Sequence, residues 1–456
     1  MGKAEYHKGE TIKVESGKSD FRKEVAKIAV PVALQCMLSS SFSMVDQIMV
    51  GQLGKESIGA VEIAGKPSFI YAFMLGAIGT VAGIMISQYI GKKDRTSEER
   101  SVCVNLLVGL ALGVIFTMGA VFYAGDFVRI FSEDAGVLRK AQKYLQIIGW
   151  TFLPMSFQTI LGCAIRCRGK SSWPMYVAMV SAVLNTGLNY CLIFGKFGFP
   201  AMGIQGAAIA SIASQVTGAA LMILLFLKIY PGIRFSVALG KEGYLQYAVM
   251  FTPIMINEFL WTLGQSVNTY VYGHMGTDEL AGMSLTSPVQ GLIIGALSGL
   301  SQAAGILIGK RLGERKYDQA YQESKWICLY GLVGSVILSV ALVLLRMPYV
   351  WIYKVGESVH SIGSWLLVAF AILTPVKVAN MILGGGIIRS GGKTKYIMII
   401  DMLGTWGIGV PVAVITGLVL KLPIFWVYLL LSQEELVRLV ISVFMFRSRK
   451  WMHTIA

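Results

Sequence analysis

"VDQIMVGQLG" runs from Val45 to Gly54, and the same pattern returns downstream as "VNTYVYGHMG" from Val267 to Gly276. The shift is 222 residues (267 − 45). At that shift Gly51 falls on Gly273, Gly54 on Gly276 and Asp46 on Asn268. Pro31 in "AVPVALQ" falls on Pro253 in "FTPIMIN". Farther on, "IGKK" at Ile90 lies near "IGKR" at Ile308. "ILGCAIRCRGKS" resembles "ILGGGIIRSGGKT", with Arg166 facing Arg389 and Lys170 facing Lys393. Several matches near one offset mark an internal duplication.

Both copies lie in apolar sequence. Of 456 residues 55% are hydrophobic and 14% charged, with a mean hydropathy of +0.64. A soluble domain usually carries about 25% charged residues, so this chain lacks the charge to cover a water-facing surface. Its 51 glycines suit membrane helices, which approach closely through small residues. Apolar runs long enough to cross the hydrocarbon layer start near Val25, Ala60, Val102, Tyr144, Trp173, Gln205, Gln246, Met283, Trp326, Ile362, Tyr396 and Ile424. The sequence therefore predicts an all-α integral membrane protein of twelve transmembrane helices in two pseudo-symmetric six-helix lobes. The boundaries are a tail at 1–24, one lobe at 25–228, a linker at 229–245, a second lobe at 246–446 and a tail at 447–456. Six is even, so the lobes enter the membrane in the same sense, as parallel repeats.

The net charge of +15 is topogenic. Most Lys and Arg fall in the first tail, "GKKDRTSEER", "RCRGKSS", "KIYPGIRFSVALGKEG", "GKRLGERKYDQAYQESK", "RSGGKTK" and "RSRKWM". Loops such as "GQLGKESIG" and "GHMGTDELAG" are poor in them. By the positive-inside rule both termini and the interlobe linker face the cytoplasm. A nucleic-acid partner calls for a concentrated basic face, and none is present. The polar first 24 residues do not read as a cleavable signal peptide. Six cysteines in or beside spans, without a CxxC, read as small apolar fillers. The four histidines fall in tails and outer loops and suggest no metal site. "SGGKT" at Ser390–Thr394 lacks the spacing of a nucleotide-binding loop. No catalytic array is legible, so no enzyme and no cofactor are expected.

Taken together, "VDQIMVGQLG" after Pro31, "NTGLNYCLIFG" followed by "MGIQGAAIAS", "PIMINEFLW" and "KVANMILGGGIIRSGGKTK" with Asp401, Trp406 and "IGVP" resemble the multidrug and toxic compound extrusion (MATE) family, most of all its bacterial DinF-like branch. The resemblance covers residues 20 to 450. It implies the two-lobe fold and efflux of amphipathic, often cationic organic compounds, driven by inward proton or sodium movement.

Asp46 is the only charge between Ile28 and Val50. An ionisable group inside a span is costly and marks a functional site by default. The resemblance places it at the family's coupling position on the first helix. The alternative is a structural carboxylate fixing a helix bend. Asn185 and Asn189 share a helix face by their spacing, as do Ser211 and Gln215, and these four are expected around Asp46. Some family members carry an aspartate where this chain has Asn189, so a sodium site is weakened here. In the second lobe Glu258 matches a region where relatives carry an acid, but Lys377 stands where a partner acid is common. Both lie roughly 18 Å from the basic end of their spans. Asp401 is shallower, within reach of a lysine stem, which suggests a charge relay or a fixed ion triad. Met37, Met255, Trp261, Met381 and Trp406 are candidates for a drug cavity, because Met adapts to varied apolar ligands.

The expected function is a proton-coupled multidrug antiporter, with protons favoured over sodium. Its partners are small organic substrates, the coupling ion and the lipid bilayer, and it is expected to be a monomer. A flippase for lipid-linked precursors and an uncoupled channel or scaffold are the alternatives.

Overall fold

In the computed structural model, residues 2–131, 134–237, 240–353 and 355–455 are described, without the side chains of 2–18, 55, 241 and 242. Twelve long helices dominate the described residues. They are α1 Gly2–Gly51, α2 Lys55–Lys92, α3 Arg95–Phe122, α4 Ala135–Cys167, α5 Ser172–Phe194 and α6 Ile204–Ile229. After residues 230–239 come α7 Gly240–Met275, α8 Thr277–Gly313, α9 Tyr317–Val350, α10 Glu357–Ile388, α11 Thr394–Val419 and α12 over 424–447. Ten of them are long and apolar enough to cross a membrane. The other two are α7, which carries Glu258, and α12, which carries Glu434, Glu435 and Arg438. The protein is an all-α integral membrane protein.

Each expected span start lies within the corresponding helix or at its first residue, and the helices run past the apolar runs at their water-facing ends. The expected polar tail continues as part of α1. Gly54 caps the α1–α2 turn at φ 92, ψ 170, a region essentially closed to residues with a Cβ. Its repeat partner Gly276 takes the same place between α7 and α8 at φ 159. Asp94 caps α3 by accepting from Ser97 N at 3.1 Å, which satisfies one free donor of the first turn.

Packing divides the chain into two compact units, residues 34–260 and residues 1–33 with 261–456. The divisions fall inside α1 and α7, not in the 229–245 linker. In the 34–260 unit a buried polar chain ties three helices together. Tyr71 Oη donates to the Phe152 carbonyl at 2.7 Å and lies 2.6 Å from Ser156 Oγ, which reaches the Gly109 carbonyl at 2.8 Å. Buried backbone and hydroxyl groups in lipid require such internal partners. Gly206 on α6 lies against the Leu192 carbonyl of α5, where a Cβ would not fit. At the end of this unit that carries the basic loops, Glu98 is 3% exposed. Its carboxylate accepts from Arg168 Nε at 2.8 Å and Nη2 at 2.7 Å, and from Tyr230 Oη at 2.7 Å.

In the other unit Gly299 of α8 lies against the Ala29 backbone of α1. α10 holds Pro375 and then turns π-helical over Met381–Ile388. Ser301 Oγ donates to the Met381 carbonyl at 2.7 Å, supporting the backbone where the helical ladder changes pitch. α11 has π-helical turns at Thr405–Gly409 and Ile415–Val419, and α12 breaks at Ser432. At the basic end Glu323 accepts from Arg311 Nε at 2.9 Å, and Arg311 Nη2 reaches Glu24 at 3.2 Å. The last residues fold back: Trp451 is fully buried, stacked on Phe446 at 5.8 Å. Tyr230 stacks on Phe226 at 4.5 Å in the same place after α6.

Candidate functional site

Asp46 sits on α1 in the 34–260 unit, half-buried. Asn189 on α5 is 2% exposed, and its Nδ2 donates to Asp46 Oδ1 at 2.7 Å. Asn185 stands one helical turn away, and its Oδ1 accepts from Asn189 Nδ2 at 3.2 Å. The amide can be placed either way round. When turned, its nitrogen lies 2.9 Å from Asp46 Oδ2 and 3.1 Å from Oδ1. Unturned, the nitrogen donates to Ser211 Oγ at 3.3 Å. Ser211 thus stands behind Asn185. Among the described residues Asp46 forms no ion pair; its partners are neutral amides.

Gln215 is engaged elsewhere. Gln158 Nε2 donates to Gln215 Oε1 at 2.6 Å and to its carbonyl at 2.9 Å. Gln158, which no sequence pattern singles out, is the partner that holds Gln215 away from Asp46. Tyr144 on α4 is within electrostatic reach of Asp46, and in the sequence it is an ordinary aromatic at a span start.

The second polar group lies among α10, α11 and α12. Asp401 pairs with Arg438, whose Nε lies 3.0 Å from Oδ1. Arg438 Nη1 is 3.4 Å from Glu435 and 4.0 Å from Glu434. Glu435 accepts from Asn380 Nδ2 at 2.7 Å. Lys377 Nζ donates to Tyr428 Oη at 3.3 Å and lies 5.4 Å from its ring. Lys377 is also within electrostatic reach of Glu435 and Glu434. The charged set expected from the sequence is therefore larger and differently paired. The Asp401 ion pair is with Arg438, and the Lys377 hydrogen bond is with Tyr428. Glu258 belongs to the other unit and is half-buried.

The cavity candidates are distributed between the units. Met37 and Met255 lie in the 34–260 unit, with Trp261, Met381 and Trp406 in the other. All five are partly or well exposed within their helices.

The MatE family pattern matches the chain twice, over residues 31–191 and 253–415. The two matches begin at Pro31 and Pro253, the offset found in the repeat. Among curated proteins, the chain is 22% identical to the "Uncharacterized transporter YisQ" of Bacillus subtilis, covering 92% of this chain and 93% of the other. It is 24% identical to the "Probable multidrug resistance protein NorM" of Thermotoga maritima, over 95% and 93% of the two chains. Among solved structures, "Crystal structure of MATE in complex with MaL6" superposes with a TM-score of 0.85 at 18% identity, over 94% of this chain and 96% of that one. A MOP superfamily transporter from Pyrococcus furiosus superposes at 0.84 with 17% identity, over 94% and 96%. The fold is shared throughout. With its two matched halves spanning most of its length, this chain belongs to the MatE family of membrane transporters.

Proposed function

We propose that the chain is a secondary antiporter that exports amphipathic, cationic organic compounds in exchange for protons. On this reading it lies in the bacterial inner membrane with both termini cytoplasmic, as the Lys and Arg distribution suggests. Relatives named probable multidrug resistance protein support the efflux class.

The observation that carries the reading is the neutral setting of Asp46. Its carboxyl meets Asn189 at 2.7 Å and Asn185 at 2.9 Å, without a cation. An ionised carboxylate there depends on amide donors alone. Protonation removes the charge and leaves an O–H that needs an acceptor. Asn185 can serve both states. Its NH2 donates to the ionised form, and turned over, its oxygen accepts from the protonated form. The amide thereby reads the protonation state of α1 and passes it to Ser211 on α6, which receives the Asn185 nitrogen in one orientation only. Pro31 lies 15 residues before Asp46 and cannot supply the helical N–H, so α1 has a place to bend. A proton that favours one arrangement of α1 shifts the population of transport states.

Protons are favoured over sodium because the site offers one carboxylate among neutral amides. Lys377 and Asp401 enter as a second charged set in their own unit, with Glu258 acting apart from them, and Met37, Met255, Trp261, Met381 and Trp406 are each proposed to face substrate. The test is uphill export of a fluorescent organic cation by proteoliposomes under an imposed proton or sodium gradient. Export driven by the proton gradient alone supports the reading. Export driven only by sodium, or none with either, removes it.

A further inference from the structure

The charged group among α10, α11 and α12 is unbalanced. It contains three carboxylates, Asp401, Glu434 and Glu435, against two cations, Lys377 and Arg438. The cations are already committed. Arg438 gives Nε and Nη2 to Asp401 and turns Nη1 toward Glu435. Lys377 donates to Tyr428. Glu435 receives Asn380 as well. Glu434 is left over. It is 6% exposed, its Oε1 is 4.0 Å from Arg438, and its Oε2 has no hydrogen-bond partner among the described residues. Arg438 at 4.0 Å is beyond hydrogen-bond range.

The backbone makes room for this carboxyl. Oε2 lies against Gly409, in the π-helical turn of α11, where a Cβ would overlap it. Its charged and titratable neighbours among the described residues come from three elements besides its own. Arg438, Glu435 and Tyr428 share its helix, Lys377 faces it from α10, Asp401 from α11, and Tyr272 from α7. Thirteen residues separate Glu434 from Arg447 (447 − 434) at the basic end of α12, a depth of about 20 Å at helical rise.

We propose that Glu434 is a proton-binding site: the group holds one exchangeable proton, carried on this carboxyl. A buried carboxylate whose Oε2 has no donor and whose cations are shared with other acids is disfavoured as the ion, and one proton brings the count to two anions and two cations. The proton comes from water and returns to it, and no bond other than O–H is made or broken. This inference does not depend on Asp46 acting as a coupling residue, since it concerns the other unit.

Infrared difference spectroscopy on the purified protein, stepped through pH, tests it. The variant Asp46→Asn removes the first acid from the spectrum. In that background, protein carrying 13C-labelled Glu shows an isotope-shifted carboxylic-acid carbonyl band that appears and disappears with pH. Glu434→Gln abolishes that band, and Glu434→Asp moves it out of the labelled set. A labelled band of full size in the Glu434→Gln protein overturns the proposal. Should that variant not fold, Lys377→Met gives an independent reading. One cation fewer makes the same three carboxylates hold a second proton, and the total carboxylic-acid band grows. An unchanged band overturns the proposal there too. Transport is not the readout, so a failed antiport assay and a failed spectrum remain separate results.

Discussion

Asn189 on α5 donates its side-chain amide to Asp46 on α1 across 2.7 Å, joining the one charge between Ile28 and Val50 to a neutral partner. A hydrogen bond to a charged group contributes about 1.5–3 kcal/mol. Removing the donor weakens the ionised form alone. Asn189→Ala is therefore expected to move the pH profile of uphill export toward alkaline by about one to two units. Gln215→Leu should leave the profile in place, because Gln215 bonds to Gln158. Transport rates measured across a pH series decide this, and equal shifts from both variants contradict the assignment.

Glu98 and Arg168 form a pair in which the acid is 3% exposed and the cation is partly exposed. Arg168→Ala leaves a buried carboxylate with Tyr230 as its remaining side-chain donor. The expected loss is about 3 kcal/mol, the lower end for a broken buried pair, because Arg168 reaches water. Adding Glu98→Gln should recover part of it. Thermal unfolding in detergent reads both, and strictly additive losses refute the coupling.

Asp94 caps α3, and the backbone N–H of Ser97 is the first reason its carboxyl is held below the ordinary carboxylate range. A lowered value means the ionised form is favoured in the fold. The stability it adds is complete above about pH 4, the unfolded value, and is lost as pH falls through the lowered one. Asp94→Ala should cost about 1 kcal/mol at neutral pH. The gap between wild type and variant should close in acid. A gap that widens in acid contradicts the cap.

Much of the architecture is legible in the sequence because membrane helices announce themselves by length and hydropathy. Pro31 with Pro253, and Gly54 with Gly276, expose the repeat because both need a particular backbone. Asp46 is legible as a lone charge in an apolar run. The group around Glu434 is not. Its members lie on three helices, with Asp401 37 residues from Arg438. "SQEELVRLV", inside the last span, shows nothing of its partners until α10 and α11 are seen packed on it. Gln158 and Tyr144 are hidden for the same reason. The π-helical turns and the break at Ser432 leave no mark on hydrophobic periodicity.

Topology is testable by labelling. On the proposed topology the α6–α7 connection faces the cytoplasm and the α7–α8 turn lies outside. With the six free cysteines replaced, a membrane-impermeant thiol reagent added to intact cells should miss a cysteine at Ser236 and modify one at Thr277. The reverse pattern inverts the orientation.

The most direct measurement is uphill export by Asp46→Asn in proteoliposomes under a proton gradient. Asparagine keeps the shape of the protonated carboxyl and cannot release a proton. Substrate binding, followed by fluorescence titration, should stay within a few-fold of wild type, while concentrative export falls to background. An Asp46→Asn protein that binds substrate and still drives export uphill with the proton gradient would show that Asp46 is a structural carboxylate and that coupling lies elsewhere.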